Sequence, residues 1–283
     1  MARLRAPLLL LLLSFAASAA AQTPAFTRDT QSVEIAGVEE SVDIYRPGNG
    51  VSAGVAIIAH GFARSRIRHK DLGQALAQAG VTAVIPDLPN VMDLWGNGNA
   101  IVDLAQQLET GGLGTPTERS HLVLIGTSAG GLATVLAAAR MPGLAGWVGL
   151  DPVDRTGSGS DAAAQVAAPS VVLLGGGSTC NLFGSGRGIA RALPHLLRTI
   201  ALKDASHCDF EDPTNNFCRV LCGKSSAQMQ ARIRSETVRA TLEMLRIATT
   251  ATEQAPPFGE PTASEPFGPP EPPQPLPAGE PGE

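Results

Sequence analysis

A chain of 283 residues with 43% apolar and 17% charged content is long enough to bury one substantial core. Its formal net charge is −5, and between Gln22 and Thr250 it carries 19 basic against 20 acidic residues. A balance that near to neutral gives no electrostatic case for nucleic acid as a partner.

Taken from the start, Arg3 and Arg5 precede an apolar stretch from Pro7 through Leu13 to Phe15, and Ala19-Ala20-Ala21-Gln22 follows. Basic residues, a short apolar run and small residues at the end are the signature of an export signal, so residues 1–21 read as a signal peptide and the mature chain as beginning at Gln22. The apolar run is too short to read as a stable membrane span. No cysteine follows it, which disfavours lipid attachment.

Short aliphatic runs then alternate with longer helical stretches, the pattern of an α/β protein with a mostly parallel sheet flanked by helices. Residues 32–35 and 41–45 read as an opening hairpin joined through Gly37. Val55 to Ala59 reads as a buried strand leading into His60-Gly61-Phe62, 71–79 as a helix ended by Gly80, and 81–85 as the next strand. A helix over 99–109 stops at Gly111-Gly112. Strands follow at 122–125, 147–150, 171–174 and Leu196 to Leu202, and 226–247 reads as a long closing helix. Residues 251–283 hold 11 of the 22 prolines and six glutamates with no lysine or arginine, a composition that reads as a disordered tail. The expected organisation is therefore a signal over 1–21, one domain over 22–250 and a tail over 251–283.

The chemistry concentrates at Gly126-Thr127-Ser128-Ala129-Gly130, which lies directly between the strand at 122–125 and an alanine-rich helix at 129–140. A Gly-x-Ser-x-Gly pentad in that position is a nucleophile elbow: a strained turn lifts the serine hydroxyl above the sheet, and the small flanking residues let strand and helix pack closely. Gly50-Val51-Ser52-Ala53-Gly54 fits the same pattern but precedes a strand, so it reads as a connecting loop. A serine hydroxyl needs a base. In elbow proteins the order along the chain is serine, acid, histidine, with the histidine after the last strand. That selects His207 and leaves His60, His69, His121 and His195 as turn or surface residues.

The third group must be a carboxylate that orients the imidazole. The loop after 171–174 reads Gly175-Gly176-Gly177-Ser178-Thr179-Cys180-Asn181 and has none. The preceding strand ends in Leu150-Asp151-Pro152-Val153-Asp154, which offers Asp151 first and Asp154 as the alternative. Two backbone donors are expected to face a developing oxyanion, the amides of Phe62 and Ala129.

Cys180, Cys208, Cys218 and Cys222 are an even set in a chain with an export signal, which suggests two disulfides. Pairing Cys180 with Cys208 and Cys218 with Cys222 would tie the loop after one strand to the loop carrying His207 and close a small local ring. A zinc site is the rival, but no Cys-x-x-Cys pair is present.

The segments Ala59-His60-Gly61-Phe62, Gly126 to Gly130, Gly149 to Asp154, Lys203 to Asp209 and the stretch to Cys222-Gly223-Lys224 resemble, in order and spacing, those of chlorophyllases and their bacterial α/β-hydrolase relatives. The resemblance spans roughly residues 33–247 and departs from the plant pattern at Thr127 and Ala129. It implies an α/β-hydrolase fold and a carboxylic-ester hydrolase with Ser128, Asp151 and His207 in the triad roles. No cofactor or metal is called for, and the partner is a small or polymeric ester. The short, Gly- and Ser-rich segment after Pro152 leaves little room for a lid, so an open site is expected. Other readings of the same motifs are an acyltransferase, a peptidase, or an inactive hydrolase fold that binds the cell envelope.

Overall fold

The computed structural model describes residues 25–254; the expected signal peptide and residues 255–283 lie outside them. Eight strands form one sheet: β1 (Phe26–Ile35), β2 (Val38–Pro47), β3 (Val55–Ala59), β4 (Thr82–Pro86), β5 (Leu122–Thr127), β6 (Gly146–Leu150), β7 (Ser170–Gly175) and β8 (Leu196–Leu202). Their order across the sheet is β1-β2-β4-β3-β5-β6-β7-β8. β2 runs antiparallel to both neighbours, and every pairing from β4 to β8 is parallel. The strand order therefore reverses around β3, and the carboxyl ends of the parallel strands share one rim, where open sheets of this kind place their sites.

The parallel strands read as continuous apolar runs because both sheet faces are covered. In β3, Val55, Ile57 and Ala59 enter one core, and Ala56 and Ile58 enter the other. The first core is closed by α2 (Leu94–Glu109), α3 (Ala129–Ala138), α4 (Ser158–Ala163) and α5 (Gly186–Ala192). The second is closed by α1 (Lys70–Gln78) and α7 (Ala227–Gln254). Trp147, fully buried, donates from its indole nitrogen to Thr134 Oγ1 at 3.0 Å, so the one polar atom of that ring is satisfied within the core.

Four features differ from the sequence reading: the opening hairpin and three of the helices. The opening hairpin is ten residues per strand, longer than its alternating part suggests, because Arg28 and Thr30 of β1 bond the buried Asp43 carboxylate of β2. Helix α2 starts at Leu94 rather than Asn99: Asp93 caps it by accepting from Gly96 N at 2.8 Å. Gly96 and Gly98 look like helix breakers in sequence, yet a Cβ at Gly98 would come within 3.3 Å of Ala133 O, so its smallness lets α2 lie against α3. Helix α6 (Asn216–Cys222) has no amphipathic stripe to announce it; Cys218 is its one buried side chain. Helix α7 continues through Gln254, four residues into the stretch expected as tail.

Candidate active site

Ser128 occupies the turn between β5 and α3 with φ 56° and ψ −121°, a conformation that an L-residue adopts only under local constraint. The constraint is visible in its neighbours. A Cβ on Gly126 would fall 2.3 Å from Gly130 O, and one on Gly130 would fall 2.4 Å from both Ala59 O and His60 O. Only glycine at those two places lets helix, elbow and neighbouring strand approach this closely. Ser128 N donates to Leu150 O at 3.1 Å and Val153 N donates to Ser128 O at 3.1 Å, so the elbow is tied on both sides to the loop after β6. Ser52, in the other pentad, lies before β3, donates to Gly54 O at 2.6 Å and accepts from Thr82 N at 2.9 Å, a loop staple.

His207 opens a 3-10 turn after β8. Asp209 holds that turn by accepting from Ser206 N and Ser226 N, each at 2.8 Å. The imidazole Nε2 lies 2.9 Å from Ser128 Oγ and Nδ1 lies 2.6 Å from Asp151 Oδ2. In the neutral tautomer that this geometry suits, Ser128 donates its hydroxyl proton to Nε2 and Nδ1–H donates to Asp151. Asp151 itself is 1% exposed and also has positive φ, 44°. Its other oxygen accepts from Gly175 N at 3.0 Å. Asp154 is turned elsewhere: its carboxylate accepts from Gly157 N, Ser160 N and Ser160 Oγ at 2.9 to 3.0 Å, and so caps the start of α4. Of the two acids weighed in the sequence, Asp151 is the one that reaches the histidine.

The loop after β3 runs against the serine, with a Cβ on Gly61 only 3.2 Å from Ser128 Cβ. The Phe62 amide lies on this loop. The Ala129 amide is the first of α3, where helical amides have no intrahelical acceptor. Both residues border the cleft at Ser128.

Two histidines that the sequence reading left as turn or surface residues are buried. His60 is 6% exposed. Its Nδ1–H donates to Gly61 O at 2.9 Å, and its Nε2 accepts from Leu88 N at 3.0 Å, so a neutral ring pins the loop after β3 to the segment that follows β4. Burial pushes its pKa down, which keeps that ring neutral. His69 is fully buried, and desolvation, followed by the nearby His60, Arg64 and Arg68, lowers it to about 3. Asn181, in the loop that lacks a carboxylate, donates to Asp151 Oδ2 at 3.0 Å; a buried side-chain amide in a Gly-rich loop leaves no pattern by which a sequence could reveal it.

The disulfides join Cys180 to Cys222 and Cys208 to Cys218, which corrects the expected pairing. The reason is helical geometry. Cys218 and Cys222 are one turn apart on α6, where Cβ atoms sit about 5–6 Å apart, beyond the roughly 4 Å a disulfide requires. Each therefore turns to a different loop, and α6 is stapled over the rim beside His207. All four cysteines are consumed, leaving none free for zinc.

Two clefts meet at Ser128. One of about 300 Å³ lies beneath α6 and is bordered by His207, Phe217, Leu221 and the Arg64–Glu211 ion pair. Its charges are closed on themselves: Arg64 donates twice to Glu211 at 2.5 Å and once to Asn215 at 2.9 Å. The other, about 580 Å³, is bordered by Leu132, Leu136, Val153, Met92 and Trp95. Between β6 and β7 stands only the six-residue α4, so no lid domain covers either cleft among the described residues.

The sheet order, the elbow and the convergence of Ser128, Asp151 and His207 at one rim define an α/β-hydrolase fold. The chain is similar in structure to a dienelactone hydrolase from Anabaena variabilis, with a TM-score of 0.62 at 20% identity, over 78% of this chain and 99% of that one. It is likewise similar to a putative dienelactone hydrolase from Klebsiella pneumoniae, with a TM-score of 0.59 at 15% identity, over 78% of this chain and 100% of that one. No protein-family model matches the chain, and no curated protein matches it in sequence.

Proposed function

We propose that this chain is an exported carboxylic-ester hydrolase that works through an acyl-enzyme. The observation that carries the reading is the continuous line of hydrogen bonds from Asp151 through His207 to Ser128. Ser128 Oγ attacks the ester carbonyl as its proton passes to His207 Nε2, and Asp151 stabilises the imidazolium. The amides of Phe62 and Ala129 receive the charge that develops on the carbonyl oxygen. The C–O bond to the alcohol then breaks, and the alkoxide takes the proton from His207. Water, activated by the same ring, releases the acid and restores the serine. Nucleophile, base and oxyanion donors all come from the chain, so the reading calls for no cofactor or metal.

Export rests on the sequence of residues 1–21 and is supported by two disulfides, which persist in oxidising compartments. Among the described residues no helix is long and apolar enough to cross a membrane. The domain is proposed to span 22–250, followed by the Pro- and Glu-rich tail, and the motif resemblance to chlorophyllase-like hydrolases supports esters over amides.

The deciding experiment is Ser128→Ala in the full chain. It is expected to abolish hydrolysis of a short p-nitrophenyl ester and labelling by a fluorophosphonate. Labelling that persists in the variant would remove Ser128 from the nucleophile role, and a native chain that neither turns over esters nor labels would point to an inactive fold.

A further inference from the structure

We infer that the two clefts divide the ester between them: the acyl group occupies the 580 Å³ cleft and the alcohol the 300 Å³ pocket under α6. The inference rests on the reading of Ser128 as nucleophile and His207 as proton donor to the leaving group, and it adds a substrate class to that reading.

The argument is one of proton reach. Ser128 borders both clefts, but His207 borders only the smaller one, and Ala129 only the larger. When the tetrahedral intermediate collapses, the alkoxide must be within hydrogen-bond distance of His207 Nε2, so the alcohol leaves on the side of the imidazole. The acyl carbon stays bonded to Ser128 Oγ, with its oxygen directed to the Phe62 and Ala129 amides. Its substituent then has the Ala129 side to occupy. Phe62 and Cys180 border both clefts and form the ridge between them.

The linings say what each side accepts. The larger cleft is nearly twice the volume of the smaller and is walled mainly by Leu132, Leu136, Val153, Leu182, Met92 and Trp95, with the exposed Arg155 and the hydroxyls of Thr156 and Ser158 also bordering it. Asp93 at its edge is committed to capping α2. A cleft of this size, apolar along most of its wall, suits a bulky, largely apolar acid, an extended acyl chain or a ring system, and leaves Arg155 to face any polar group that such an acid carries. Its outer lip is apolar too: Met92 is 78% and Trp95 55% exposed, so a chain longer than the cleft leaves over an apolar edge. The smaller pocket has apolar walls in Phe217 and Leu221 over a floor whose ion pair is already satisfied, which suits a compact, uncharged alcohol. The substrate class is thus an ester of a large apolar acid with a smaller neutral alcohol.

The test uses two series on the full chain. In the first, p-nitrophenyl esters run from acetate to decanoate with the alcohol held constant; in the second, alkyl acetates run from ethyl to octyl. Trp95 and Phe217, at 55% and 63% exposed, can be replaced by alanine without opening a core. The native chain is expected to prefer decanoate over acetate. Trp95→Ala should lower the ratio of kcat/KM for decanoate over acetate roughly tenfold, and Phe217→Ala should shift the alcohol series by a similar factor while that ratio holds. The opposite pattern, with Trp95→Ala acting on the alcohol series and Phe217→Ala on the acyl series, would reverse the assignment. An acyl series without length dependence would overturn it while leaving the esterase reading in place. Absence of both turnover and fluorophosphonate labelling in the native chain would instead strike the esterase reading itself.

Discussion

Asn181 donates its side-chain amide to the same carboxylate oxygen of Asp151 that accepts from His207, at 3.0 Å against 2.6 Å. Asn181 is fully buried and is held in turn by Ser178 N and Gly184 N, both of which donate to its carbonyl. The acid after β6 is thus aimed by the loop after β7, the loop that carries no carboxylate of its own. Asn181 is a positioning residue.

Replacing Asn181 by alanine should release Asp151 from one of its fixed donors and cost about 1–3 kcal/mol of that interaction. The expected outcome is a fall of roughly ten- to a hundredfold in kcat with KM little changed. Saturation kinetics check it; an unaltered kcat would mean that Gly175 N alone suffices to aim the acid.

Asp151 and Asp154 should separate cleanly. Asp151→Asn is expected to lower kcat by about 10⁴, because the amide favours the wrong imidazole tautomer. Asp154→Asn should leave kcat near native and cost about 1–3 kcal/mol in urea unfolding, since its three bonds close a loop and touch no reacting atom. Equal kinetic losses in the two variants would contradict the geometry.

Gly130→Ala should be damaging out of proportion to one methyl group. The new Cβ meets two backbone carbonyls, Ala59 O and His60 O, and backbone cannot swing aside as a side chain can. A loss of about 3 kcal/mol or more of stability is expected, together with activity. A thermal melt within a degree of native would show that α3 can shift without harm.

The two disulfides should contribute unequally. Cys180 and Cys222 lie 42 residues apart, Cys208 and Cys218 only 10. In the chain-entropy account the longer loop is worth about 1 kcal/mol more, so the Cys180→Ser/Cys222→Ser variant should unfold at lower denaturant than Cys208→Ser/Cys218→Ser. Because Cys218 is the only buried side chain of α6, full reduction should also raise hydrogen exchange over 216–222 ahead of the sheet.

Acid should weaken the fold through His69. Its folded-state pKa of about 3 lies below the ordinary value of 6.5, so between those values the unfolded chain binds more protons. Stability from this group is complete above pH 6.5 and declines as pH falls toward 3, with a slope that approaches about 1.4 kcal/mol per pH unit. His60 is shifted in the same direction. Urea midpoints at pH 7, 6 and 5 should fall for the native chain and fall less for His69→Phe; parallel curves would show that His69 is not a source of the acid sensitivity.

By itself the sequence determined the α/β class, the strands from 55 onward and the elbow at Ser128, because these depend on local signals: apolar runs buried on both faces, breakers at strand ends and small residues around one serine. It also offered two neighbouring aspartates as candidate acids and His207 as the candidate base. Only the tertiary structure shows which of Asp151 and Asp154 reaches His207, since both sit on one loop and only their direction into the fold differs. It alone placed Asn181 behind the acid and buried His60 and His69, contacts made across loops that are distant in the chain. It reversed the cysteine pairing for the same reason: whether two sulfurs can meet depends on the backbone between them, and a helix over 216–222 holds Cys218 and Cys222 too far apart to bond while turning each toward a partner in another loop.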